Sequence, residues 1–176
     1  LVIVQTIWRG TAPAEVEREI VNRHIEPRAE LGVRSIIAAD SSFDVPQFIE
    51  GAKAAYKMIL EAFWKGDTET LKWLVDDEVR ESFDQAISER ASAGHVLENR
   101  LVSIERAVIS DASLEGRVAR IKVSIEADIA ATTRDAEGNL VSGSMTDAVE
   151  AREIWTFART LKSSDPNWKL VETDEA

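Results

Sequence analysis

A chain of 176 residues, 44% hydrophobic and 30% charged, has the composition of a folded domain and enough length to bury a core without covalent staples. It has no cysteine, which excludes disulfides, thiolate nucleophiles and cysteine–zinc sites. Its net charge of −11 disfavours nucleic acid as a partner, weakens attraction to anionic lipid heads and favours a partner with a basic face.

Nearly all of that charge lies beyond residue 42, and the seam at Asp40-Ser41-Ser42 divides two blocks, 1–42 and 43–176. The first opens with the β-branched run Val2-Ile3-Val4, a strand ending at Gly10. Pro13, Glu15 and Glu17 suit a first helical turn, and Val16, Ile20 and His24 give a stripe at four-residue spacing that Pro27 stops. Val33 to Ala39 reads as a second strand, making a short β-α-β segment. No run approaches the eighteen or so apolar residues of a membrane span. LVIVQTIW lacks the basic start and cleavage site of a signal peptide.

The second block begins with a cap at Asp44, followed by Phe48, Ile49, Ala52, Tyr56, Ile59 and Phe63 at helical spacing. Gly66 ends this helix and Asp67 caps the next, which carries Leu71 and Leu74. Asp76 or Asp77 starts a third, with Val79, Phe83 and Ile87 on one side and Gly94 at its stop. Thereafter the period becomes two. Val102 to Val108 and Val118 to Ile129 read as strands around a turn at Gly116, and 135–139 as a hairpin turn with Gly138 at positive φ. A strand from Val149 to Leu161 and a last one at Trp168–Val171 follow a loop reading for Ser142, Gly143 and Ser144. Helices first and strands afterwards predict an α+β fold, with N-terminal helices packed on one face of a meandering antiparallel sheet.

The chemistry-bearing patterns are sparse. His24 and His95 are too few for a histidine metal site. No GxGxxG, GxxxxGK[ST] or GxSxG occurs, so no cofactor is expected. Asp76-Asp77-Glu78 suits a helix start, and alternation assigns Glu126 and Asp128 to a solvated strand face.

FDVPQFIEGAKAAY (43–56), ILEAF (59–63) with Gly66-Asp67, Glu78-Val79 with Phe83, and Thr133-Arg134-Asp135 with Gly138 follow one another along residues 43–176. EIWTFAR (153–159) and DPNWKL (165–170) complete the series, and in this order the motifs resemble the Tim44-like/TimA family. The resemblance implies a curved, cone-shaped fold of the nuclear transport factor two-like group, enclosing an apolar cavity. It also implies a non-catalytic adaptor on the cytoplasmic side of a bacterial inner membrane, or the matrix face of a mitochondrion. The partners it implies are a translocase or chaperone-like protein and, for the mitochondrial relatives, cardiolipin-rich membrane. Bacterial relatives usually carry an N-terminal membrane helix, and no such helix lies in these 176 residues. Residues 1–42 are instead similar to the first periplasmic strand–helix–strand of RND-type efflux pumps, through VQTIWRGTAPAEVEREI (4–20), Ile25-Glu26-Pro27 and Gly32-Val33-Arg34-Ser35-Ile36.

Tyr56, Phe63, Trp64, Phe83, Trp155 and Phe157 are the candidate site residues. As large aromatics they either pack the core or line a cavity between the long helix and the sheet. The adaptor reading expects that cavity to hold nothing ionisable. Two other readings compete with it. A small isomerase or dehydratase of the same cone-shaped group would place a carboxylate such as Glu126 or Asp128 beside Tyr56. An efflux-pump fragment would take its character from residues 1–42.

Overall fold

The computed structural model describes residues 23–176. The strand expected at Val2–Gly10, and the helix carrying Val16 and Ile20, lie outside them. Pro27 opens a 3-10 turn, Pro27–Ala29, that runs directly into helix α1, Glu30–Ala39. This corrects the expectation of a strand over 33–39. Val33 and Ile36 read as β-branched strand residues, yet together with Ala29 they form a buried stripe at 29, 33 and 36, whereas Leu31 and Ile37 are exposed. Packing on the sheet overrides local β propensity here.

The remaining helices follow their caps. Asp44 accepts from the Gln47 amide at 2.9 Å and starts α2, Val45–Lys65. Asp67 accepts from Thr70 N to start α3, Thr68–Leu74, and Asp76 from Val79 N to start α4, Asp77–Ser92. Each aspartate satisfies an amide that the first helical turn leaves without a partner. The far end of α2 is held differently. Arg90 reaches over from α4 and donates to the carbonyls of Phe63 at 2.6 Å and Trp64 at 2.9 Å, with its guanidinium 5.1 Å from the Phe63 ring centre. A cation thus sits at the negative end of the α2 dipole, and locks α4 to it.

Four strands form an antiparallel meander in chain order: β1 Val96–Glu115, β2 Val118–Arg134, β3 Leu140–Thr160 and β4 Lys169–Glu175. The α+β class is as the sequence predicts. Register shifts at Leu101/Ser103, Ile104/Arg106 and Ile109/Asp111 interrupt the β1–β2 ladder, as β-bulges do. β3 begins earlier than its alternation suggested. Ser142, Gly143 and Ser144 are strand rather than loop, with Gly143 at φ +88° and opposite Thr132. A side chain at Gly143 would run into the Ala131 carbonyl, so glycine lets the two strands close there.

Both edges of the sheet carry short covers. Ile25 forms a parallel bridge with Ile109, and Glu26 N donates to Ile109 O at 2.8 Å. On the opposite edge Val75 bridges Leu170, and Asp76 N donates to Leu170 O at 2.9 Å. Residues 25–39 share one hydrophobic core with the later helices and the sheet. Gly32 brings α1 against β1, because a Cβ at that position would meet the backbone carbonyl of Ala112.

Two substitutions test this packing. Gly32→Ala is expected to lower stability by about 1–3 kcal/mol, the usual cost of overpacking, read as a lower denaturant midpoint at unchanged m-value. Arg90→Ala is expected to cost about 1.5–3 kcal/mol through lost charge-assisted hydrogen bonds. An unchanged midpoint in either variant would contradict the contact concerned.

Candidate functional site

A groove of about 640 Å³ opens along the first half of α2, between α3, the end of β3 and the loop before β4. Its floor is aromatic. Phe48 lies 5.0 Å from Trp168 and 6.3 Å from Phe157 between ring centres, and Phe43 lies 5.6 Å from Phe48. One wall is made by the small residues Gly51, Ala52, Ala54 and Ala55 of α2, which leave the helix backbone open to close approach. At the rim stand two exposed apolar side chains, Met58 at 49% and Trp73 at 77% of full exposure. A tryptophan that far into water beside an apolar groove leaves a large apolar surface uncovered.

The groove is not free of ionisable groups, contrary to expectation. Asp40 and Arg159 pair across one end at 3.2 Å, and Asp44 also lines it. Asp40 accepts from the Ser42 hydroxyl and amide, and these bonds, with the guanidinium of Arg159, hold its carboxyl below the usual range. Arg159 also donates to Asp165 O at 3.4 Å, so one side chain ties the end of α1 to the turn carrying Asn167 and Trp168.

The six candidate aromatics do not form one site. Phe157 lines the groove. Tyr56 and Trp155 lie behind it in the core, rings 4.6 Å apart, both essentially without solvent exposure. Phe63 and Phe83 pair at 5.0 Å between α2 and α4. Trp64 stands in a separate cleft of about 500 Å³ with Lys57, Lys65, Arg100 and Leu101. Helical spacing groups these residues in sequence, but α2 turns them towards three different neighbours.

Sequence reasoning missed Glu153. It lies on the same face of β3 as Trp155 and Phe157, turned inward, and accepts from the Tyr56 hydroxyl at 2.8 Å. Burial, opposed by that hydrogen bond and aided by Glu175, raises the Glu153 carboxyl above its ordinary value. Burial and the same carboxylate push the Tyr56 phenol upward. The signal was present in the alternation Glu153, Trp155, Phe157, which puts all three on one face. Glu126 and Asp128 are not the carboxylates beside Tyr56.

Asp40 generates a prediction. Its folded-state pKa is depressed, so its stabilisation is present above 3.8 and is lost as pH falls through the folded value. Asp40→Asn is expected to flatten this acid limb of the unfolding midpoint, measured from pH 5 downwards. An identical acid limb in the variant would contradict the pairing.

The model of the family described as "Tim44-like domain" matches residues 29–175. "Uncharacterized protein RP434" of Rickettsia prowazekii (strain Madrid E) is 29% identical over 140 residues, covering 79% of this chain. The chain spans 56% of the length of that curated relative. Among solved structures, the intermembrane space region of chloroplast protein ARC6 superposes with a TM-score of 0.52 at 17% identity, covering 72% of this chain and 95% of that one. At that identity the likeness concerns the fold. The family match spans most of the chain and the whole helix-on-sheet body described above, and the chain belongs to the Tim44-like domain family.

Proposed function

We propose that this protein is a non-catalytic adaptor, peripheral on the cytoplasmic side of a bacterial inner membrane, that binds a protein partner in translocation or membrane-protein handling. The observation that carries this reading is the groove beside α2, whose aromatic floor and small-residue wall lead to the exposed Met58 and Trp73. Such a surface takes an apolar segment of a partner, with the tryptophan as anchor. Family membership supports a membrane-associated adaptor role. No helix among the described residues is long and apolar enough to cross a membrane. The charge of −11 favours a partner with a basic face over direct adhesion to anionic lipid.

The enzyme reading has one specific observation in its favour, the hydrogen-bonded Tyr56 and Glu153. Against it, neither residue lines the groove, so neither is placed to meet a substrate there.

Two measurements test the adaptor. Titrating the whole chain with a cationic amphipathic peptide should change the summed fluorescence of its five tryptophans, and Trp73→Ala should weaken binding tenfold or more, the loss of an anchor worth roughly 2 kcal/mol. That substitution is on the surface and should leave stability within about 0.5 kcal/mol. Flotation with vesicles, with and without cardiolipin, separates a protein partner from a lipid one. Flotation that persists in high salt would replace the protein partner by apolar insertion into lipid.

A further inference from the structure

Glu153 is an inward-facing carboxylate in a wall otherwise built of apolar side chains. On β3 its neighbours on that face are Ala151 and Trp155, and across the ladder on β2 stands Ile125. The charged or titratable groups that face it are Tyr56 from α2 and Glu175, its register partner on β4. Arg152 does not serve it, since that guanidinium pairs with Glu150 at 2.9 Å. Nearby, the buried indole N–H of Trp155 has no hydrogen-bond partner. The Tyr56 hydroxyl is therefore the one hydrogen bond from α2 to this carboxylate, and it joins the helix to the sheet directly behind the groove.

We propose that Glu153, held under α2 by the Tyr56 hydroxyl and opposite Glu175, is a proton-dependent latch whose neutral form seats α2 on the sheet more firmly and so sets the width of the groove. The phenol binds the charged carboxylate more strongly, but the neutral acid still accepts from it and escapes both the cost of a half-buried charge and the repulsion of Glu175. The path to the groove is short. Tyr56 stacks on Trp155, Trp155 lies 6.5 Å from Phe157, and Phe157 packs against Phe48 on the groove floor. One turn before Tyr56, Ala52 belongs to the groove wall, so a shift of α2 at the latch is a shift of that wall.

The sign is opposite to that of an ordinary paired carboxylate. A raised folded-state pKa means the folded form binds the proton more tightly than the unfolded one. The stabilisation is complete below 4.5 and is lost as pH rises through the folded value. His24, whose pKa is lowered mainly by burial, slopes the other way, losing stability as pH falls below 6.5. It contributes equally to wild type and to a Glu153 variant, so their difference isolates the latch. The depressed Asp40, Asp67 and Asp135 act below 3.8, outside this window.

The test uses the full chain. Carboxyl NMR should show Glu153 titrating above 4.5, and the Met58 methyl signal on α2 should shift with the same midpoint. In unfolding measurements from pH 4 to 8, the wild-type folding constant should fall relative to Glu153→Gln by a factor approaching tenfold for each unit by which the pKa is raised. Glu153→Gln should also abolish the Met58 shift. Tyr56→Phe removes the bond that favours the charged form and should move the Glu153 midpoint higher. A Glu153 midpoint at or below 4.5 overturns the proposal, as does a Met58 signal that is unmoved or that moves equally in Glu153→Gln. This inference does not rest on the adaptor reading, because every readout is taken without a partner.

Discussion

The structure depends on one contact, the apolar face of α2 laid across the inward face of the sheet, along β1 and against the aromatic side chains of β3. Ile49, Ala52, Tyr56 and Ile59 are buried there against Ile121, Val123, Ile125, Trp155 and Phe157. Burial of side chains of this size contributes roughly 1.5–3 kcal/mol each, more than any single cap or surface ion pair in the molecule. The caps and Arg90 then fix where the helix begins and ends, so a long amphipathic helix has one register on the sheet.

The same contact produces the groove. Large side chains on the inward face of α2 hold it to the sheet, while the small residues Gly51, Ala54 and Ala55 leave its neighbouring face bare. Phe43, Phe48 and Trp168 close the floor, and the Asp40–Arg159 pair closes one end. Trp73 and Met58 line the same groove and stay exposed to water. Stability and the groove therefore come from two sides of one helix.

Glu153 gives this arrangement a polar weak point. A carboxylate under a helix whose other contacts are aromatic and aliphatic is tolerated because Tyr56 supplies a hydrogen bond. The membership in the Tim44-like domain family and the fold shared with the ARC6 region concern the whole body of helices and sheet. The latch and the groove are features of these particular side chains.

The sequence by itself determined the order of elements from Asp44 onward, because capping aspartates, glycine stops and the change from helical to alternating period are local signals. It also carried the inward placement of Trp155 and Phe157. It misread Val33–Ala39 as a strand, since Val33, Ile36 and Ile37 have β propensity and only docking on β1 through Gly32 makes the segment a helix. It left open which of the six aromatics pack the core and which line a cavity, and tertiary packing divides them among the groove, the core and a second cleft. The Tyr56–Glu153 bond joins residues 97 positions apart. Periodicity reports which way a side chain points along its own element, and only tertiary packing decides what it meets.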